Sequence, residues 1–252
     1  MNRLNSLVPG AADRDTSPAT VAREILKRSS ITSAPVSLPK ILELWPELRV
    51  SLDDLDSAGY FIDLGDIGGE ILINRRDPEV RRRFTTAHEI GHWLLGVERS
   101  GPLPVISETS ESFRWNYKDD TERWCDRLAA ELLMPARLVI DFFDSALNPA
   151  AMAQRMSGLA RQFDVSEASA FNRMTEVFQI RAVLVRSDRR IYFQSYSSKL
   201  SGREKMEFHT LARAVLRSNE TEVTTVNGDS SWGWAKLPGR NSTAFLWLSD
   251  PL

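Results

Sequence analysis

The chain has 252 residues, 42% hydrophobic and 26% charged, an ordinary globular balance that excludes disordered, fibrous and collagenous classes. A net charge of -2 gives no overall pull toward nucleic acid or an anionic membrane. One cysteine (Cys125) and three histidines (His88, His92, His209) exclude an intramolecular disulfide and any zinc site that needs a cysteine pair, so a metal centre must come from histidine and carboxylate.

Residues 1–18, rich in Ser, Asp, Asn, Pro and Gly, read as a disordered tail without the apolar stretch of a secretory signal. No apolar run approaches the roughly 18 residues of a membrane-spanning helix. With a single thiol, the expectation is a cytoplasmic protein with no membrane association. Two short helices are predicted between Ala19 and Leu44, the first with Val21, Ile25 and Leu26 on one side, the second starting after Ser37. LRVSLDDL, AGYFIDLGD and GEILINRR read as short strands joined by Gly and Asp turns. A helix follows from Pro78 to Leu95, and another from about Asp120 to Met134, ended by Pro135. Residues 150–180 read as two short helices around a tight turn. The segment RAVLVRSDRRIYFQSYS reads as a strand pair, SGREKMEFHTLARAVLRS as a helix, and the remainder as strands.

The helix from Pro78 carries His88-Glu89-Ile90-Gly91-His92, an HExxH pattern. Residues four apart share a helix face, so both imidazoles can reach one ion. Glu89 sits about 100° around from His88, beside the ion, where a general base can act on metal-bound water. Local signals support a helix. Asp77 suits the N-cap, Pro78 the first helical position and Gly96 the C-terminal stop. Val80, Phe84, Ala87, Gly91, Leu94 and Leu95 form a buried stripe adjoining the histidines.

Catalytic zinc usually takes three protein ligands, so a downstream carboxylate is expected. The helix DDTERWCDRLAAELLMP offers Glu122, Asp126 and Glu131. On a helical wheel Glu122 lies about 70° from the centre of the apolar stripe, and Asp126 and Glu131 about 110° away. Geometry favours Glu122 narrowly. The alternative is that Asp119 and Glu122 form a capping box, with Glu122 bonded to the helix start. Cys125, one turn along, reads as a small apolar packing residue.

The stretches RRRFTTAHEIGHWLL (81–95) and ERWCDRLAAELLMP (122–135) resemble the ImmA/IrrE family of zinc metallopeptidases, whose pattern is an Arg-Phe-Thr lead into HELGH followed by ExxAxxFAAxLLMP. Cys125 and Leu128 stand where that pattern has Ala and Phe. The resemblance covers about residues 20–180. It implies an α+β fold: a zincin-like metallopeptidase core at 19–147, made of a small sheet plus the HExxH helix. A helix-turn-helix-like helical segment at 148–180 would follow; residues 181–252 lie outside the resemblance, and their strand and helix patterns read as a small α+β C-terminal domain, a sensor or substrate-recognition module. The resemblance carries the third metal-ligand role to Glu122. It also implies a protein substrate, a helix-turn-helix transcriptional repressor whose cleavage relieves repression under stress or mobile-element induction.

The expected chemistry is hydrolysis at Zn²⁺ (Mn²⁺ or Fe²⁺ also suit the donors) held by His88, His92 and Glu122. Glu89 takes the water proton and later delivers it to the leaving amine. Tyr117, Arg83 and His209 are candidate donors to the tetrahedral oxyanion, unranked. Arg81, Arg82 and Arg83 read as surface charge or support for the metal site. Two rival readings stand beside this one. A DNA-binding regulator would use the 150–180 helix pair, but its second helix offers only Arg173 against Glu167 and Glu176, poor equipment for a phosphate-lined groove. A protein-interaction regulator with a non-catalytic metal site would use the aromatic tail with Trp232, Trp234, Phe245, Leu246 and Trp247, most of which read as the core of a small domain and would serve recognition only as an exposed patch. The oligomeric state is not specified by the sequence.

Overall fold

The computed structural model describes residues 15–96, 120–143, 149–186, 210–212, 214–215, 222–227, 230–237 and 240–249. These fall into two compact units. The first runs through the described residues up to 138 and adds the turn 163–166; the second takes the remainder.

The first unit begins with α1 (Pro18–Arg28), which buries Val21, Ala22, Ile25 and Leu26. Helix α2 (Leu38–Leu42) follows, capped by the Ser37 hydroxyl accepting from the Lys40 amide at 3.4 Å. A three-stranded sheet comes next: β1 (Leu48–Asp53), β2 (Gly59–Asp63) and β3 (Gly69–Asn74), in the order β1-β3-β2. β2 and β3 are an antiparallel hairpin with Gly59 opposite Ile73 and Asp63 opposite Gly69. β1 joins β3 in parallel, from Leu48 opposite Gly69 to Asp53 opposite Asn74. Three strands are expected from the sequence; the parallel pairing is decided only in three dimensions.

The inner face of the sheet presents Phe61, Ile71 and Ile73 to helix α3 (Glu79–Leu95), which packs on β2 and β3. Trp93 meets Phe61 edge to face, with ring centroids 5.8 Å apart. The contact needs a glycine at 69, because a Cβ there would sit 2.6 Å from the Phe61 ring and 2.9 Å from that of Trp93. Gly96 ends α3 in the left-handed conformation (φ 62°), as the sequence indicates. The start differs. Extended Pro78 occupies the cap position, its carbonyl taking the Arg81 and Arg82 amides, and no side chain caps the helix. Asp77 is drawn instead to Arg81, 3.2 Å away.

Helix α4 (Asp120–Leu133) lies against both α3 and α1, burying Trp124, Cys125, Leu128, Ala129, Leu132 and Leu133. The Trp124 indole donates to the Thr16 carbonyl at 2.8 Å, which ties the chain just before α1 onto α4. Pro135 ends α4, but the chain re-enters a helix at once, α5 (Ala136–Phe143), which no pattern in the sequence separated from its neighbours. Pro fits the start of a helix as well as its end, so the proline signal is ambiguous there.

The second unit contains the helix pair α6 (Pro149–Phe163) and α7 (Glu167–Val177), with Met152, Met156, Leu159, Ala170, Phe171 and Met174 buried. Arg155 donates to the Phe142 and Phe143 carbonyls and stacks on the Phe142 ring at 4.8 Å. Strands β4 (Arg181–Arg186), β5 (Glu222–Asn227), β6 (Ser230–Leu237) and β7 (Arg240–Ser249) form an antiparallel sheet in the order β4-β7-β6-β5. The strand expected to pair with β4 in sequence, around 191–197, lies outside the described residues; within them β4 pairs with β7, Arg181 opposite Leu248. Residues 210–212 and 214–215 are helical, in line with the predicted helix. Trp234, Leu246 and Trp247 are buried in this unit, which removes them from the exposed aromatic patch considered above. The side chains of Trp232 and Phe245 lie outside the described residues. No helix among the described residues is long and apolar enough to cross a membrane.

Candidate metal centre

The site forms where α3 crosses α4. The crossing is close because of Gly91, the fourth residue of the HExxH pattern: a Cβ on it would lie 2.8 Å from Cys125 Sγ and 3.0 Å from Cys125 Cα and Cβ. Glycine costs helix stability, but here it lets the α4 backbone approach within reach of the α3 histidines.

That approach brings three donors together. His88 Nε2 and His92 Nε2 are 3.2 Å apart, and the Glu122 carboxylate places Oε2 3.3 Å from the first and Oε1 3.4 Å from the second. His88, His92 and Glu122 are all buried. A tetrahedral zinc with bonds of about 2.0–2.1 Å spaces its ligand atoms about 3.3 Å apart; the two imidazole nitrogens stand near that spacing, and each has one Glu122 oxygen at a similar distance. Three Lewis bases enclosed at this spacing repel unless a cation or proton lies between them. The donor set therefore fits a divalent metal ion. In this position Glu122 turns its carboxylate to the histidines; Asp119, its partner in a capping box, lies outside the described residues.

Behind the triangle, Asp126 Oδ1 lies 2.8 Å from His88 Nδ1. A proton on Nδ1 donated to this carboxylate leaves the Nε2 lone pair facing the ion position, the arrangement that orients histidine ligands in many metal sites. Burial by itself would make the His88 imidazole shed its proton. The Asp126 and Glu122 carboxylates, with Glu89 nearby, outweigh it and push the pKa up to about 10 in the metal-free protein. Asp126 is the residue that sequence reasoning undervalued. Its distance from the apolar stripe counted against it, yet a carboxylate buries readily when a histidine faces it. The available signal was its place one turn beyond Glu122, on the same face of α4.

Glu89, fully buried, follows His88 on α3. Cys125, equally buried, stands one turn from Glu122, and its sulfur and the ligand atoms of His88 and His92 all lie within 4.8 Å of one another. Glu131 lies nine residues beyond Glu122, about 13 Å along the helix axis, too far for the same ion.

Of the three oxyanion candidates, Arg83 is committed elsewhere. It donates to the Val36 carbonyl at 2.9 Å and the Asp164 carbonyl at 3.1 Å, and pairs with the Asp164 carboxylate at 3.0 Å. Tyr117 and His209 lie outside the described residues. On α7, Arg173 is only 2% exposed and binds Glu176 at 2.9 Å, so the single cation of that helix is not presented to solvent. Glu167 accepts from the Ser157 hydroxyl at 3.0 Å.

Residues 47–175, which include every donor just described, match the IrrE N-terminal-like domain family, Peptidase M78. The radiation response metalloprotease IrrE of Deinococcus deserti is 36% identical over 107 residues, 42% of this chain and 36% of that protein. Its namesake from Deinococcus radiodurans is 32% identical over 107 residues, 30% of that protein. The alignments thus span about a third of these relatives' length. Among solved structures, a Mycobacterium tuberculosis transcriptional regulator shares the fold, with a TM-score of 0.53 at 12% identity over 93% of this chain and 88% of that one. With half of its length, and the whole donor triangle, inside the matched region, the chain belongs to the IrrE N-terminal-like family, Peptidase M78.

Proposed function

We propose that this protein is a zinc-dependent endopeptidase with His88, His92 and Glu122 as metal ligands and Glu89 as general base. The observation that carries the reading is the buried triangle of donors at 3.2–3.4 Å, supported from behind by Asp126. A divalent ion held there supplies Lewis-acid polarisation of the scissile carbonyl and acidifies a water molecule. Asp126 accepts from His88 Nδ1 and keeps the ring turned toward the ion position. Glu89 accepts a proton from the attacking water and returns it to the leaving amine. Enclosure of the carboxylate strengthens its electrostatic interaction with a developing cationic group.

The substrate in this reading is a protein, a helix-turn-helix repressor whose cleavage releases transcription under stress, inside the cytoplasm. The radiation-response description of the two Deinococcus relatives and the transcriptional role named for the mycobacterial structure support this direction. The buried Arg173 weighs against α7 as a DNA-reading helix. The test is co-incubation of the full chain with the repressor encoded beside its gene, with and without chelator, read by mass spectrometry. Glu89→Gln should keep one zinc per chain and abolish cleavage. Cleavage by that variant at the wild-type rate, or cleavage unaffected by chelator, would refute the assignment.

A further inference from the structure

The triangle of His88, His92 and Glu122 leaves one position of a tetrahedral ion unassigned, and a second α4 side chain lies close to the two histidines. Cys125 is one turn beyond Glu122 on the same helix, is fully buried, and lies within 4.8 Å of the ligand atoms of both histidines. The α3 residue that faces the thiol is Gly91, where an added Cβ would lie 2.8 Å from the sulfur. A Cys–zinc bond of about 2.3 Å and a His–zinc bond of about 2.0–2.1 Å set sulfur and nitrogen about 3.5 Å apart. On that spacing each sulfur–nitrogen separation closes by at most about 1.3 Å.

We propose that the Cys125 thiolate is a fourth metal ligand in the resting protein, joining the two histidines and Glu122. The inference rests on the zinc reading above and adds to it in two ways. Thiolate is a soft ligand, so the four-ligand set favours zinc over manganese more strongly than the histidines and glutamate alone. It also fills the position a catalytic zinc keeps open, so the resting site is closed, and substrate or water enters as the sulfur leaves.

Cobalt(II) reports both parts without any turnover. Whole chain, freed of metal and loaded with Co²⁺, should show the visible d–d bands of a tetrahedral site together with an intense near-ultraviolet thiolate-to-cobalt band. Cys125→Ala should lose the near-ultraviolet band and keep the d–d bands, which also shows that the variant is folded. Cys125→Ser, which restores the volume with a hard oxygen, should not recover the band. Zinc affinity by chelator competition should fall at least about tenfold in Cys125→Ala, no less than loss of an outer-sphere partner costs. The Zn²⁺ over Mn²⁺ preference should narrow with it. Wild-type d–d bands with no near-ultraviolet band, or unchanged zinc affinity in Cys125→Ala, would overturn the thiolate ligand and leave the three-ligand reading standing. No cobalt bound by the wild type would overturn both.

Discussion

Substituting Gly91 by alanine tests the proposition that the metal centre depends on the closeness of two helices. The added methyl would meet Cys125 Sγ at 2.8 Å and the Cys125 Cα and Cβ at 3.0 Å. Carbon contacts settle at about 3.5–4.0 Å, so α4 must retreat by about 0.5–1 Å along this stretch. Rotating the thiol away relieves only one of the three contacts; the other two involve atoms fixed by the helix. Overpacking of this kind costs about 1–3 kcal/mol. Alanine returns about 0.8–1.0 kcal/mol through helix propensity, leaving a net loss of about 0–2 kcal/mol. For a domain of this size that lowers the melting temperature by at most about 8 °C. The metal should suffer more. Ligand distances tolerate about 0.2 Å, and a retreat of about 0.5 Å carries Glu122 away from both histidines. Zinc affinity, measured by chelator competition, should fall by an order of magnitude or more while the metal-free protein melts only slightly lower. Gly158→Ala is the control, because its methyl would meet only Phe142 Cζ at 3.4 Å. It should be neutral or stabilise by up to about 1 kcal/mol without touching zinc affinity. A Gly91→Ala protein with wild-type zinc affinity would refute the argument that this close approach builds the site.

The remaining expectations concern the donors. Glu122→Ala should lose stoichiometric zinc on dialysis whereas Glu131→Ala should retain it; equal loss by metal analysis would show that α4 supplies its carboxylate differently. Asp126→Ala should weaken zinc by about 10–100-fold through loss of the carboxylate that orients His88, and an Asp126→Ala protein with undiminished affinity would remove that role. The metal-free protein should also depend on pH in a defined direction. A histidine whose folded pKa is raised from 6.5 to about 10 adds stability that is complete below its unfolded pKa of about 6.5 and is lost as pH rises through about 10. Urea titrations of chelator-treated protein should therefore show stability falling between about pH 7 and pH 10, and His88→Gln should remove that part of the slope. An unchanged slope in the variant would place the titration on another group.

Much of the site was legible in the chain because its signals are local. HExxH at helical spacing and Gly96 beyond the end specify α3 and the face its histidines share; of the expected apolar stripe, Ala87, Gly91 and Leu94 are buried, whereas Val80, Phe84 and Leu95 stay half-buried. The second helix was legible for the same reason, from Trp124, Cys125, Leu128, Leu132 and Leu133. Signals that depend on a partner were not. Pro78 took the cap position expected of Asp77, and Pro135 introduced α5 as well as ending α4. The parallel pairing of β1 with β3 and the pairing of β4 with β7 join segments far apart in the chain, and no short-range pattern encodes them.

For the candidate metal centre, the sequence by itself supplied the groups: two histidines one turn apart, one cysteine, and a downstream helix with the candidate carboxylates Glu122, Asp126 and Glu131. Which of those groups come together was decided by tertiary structure. Glu122 closes the triangle, Asp126 backs His88, and Cys125 lies against Gly91. Glu131 is left about 13 Å along the helix. The physical reason is that a helix wheel ranks residues by angle alone. The choice among carboxylates was made by where one backbone could approach another, and that depended on a single missing Cβ at Gly91.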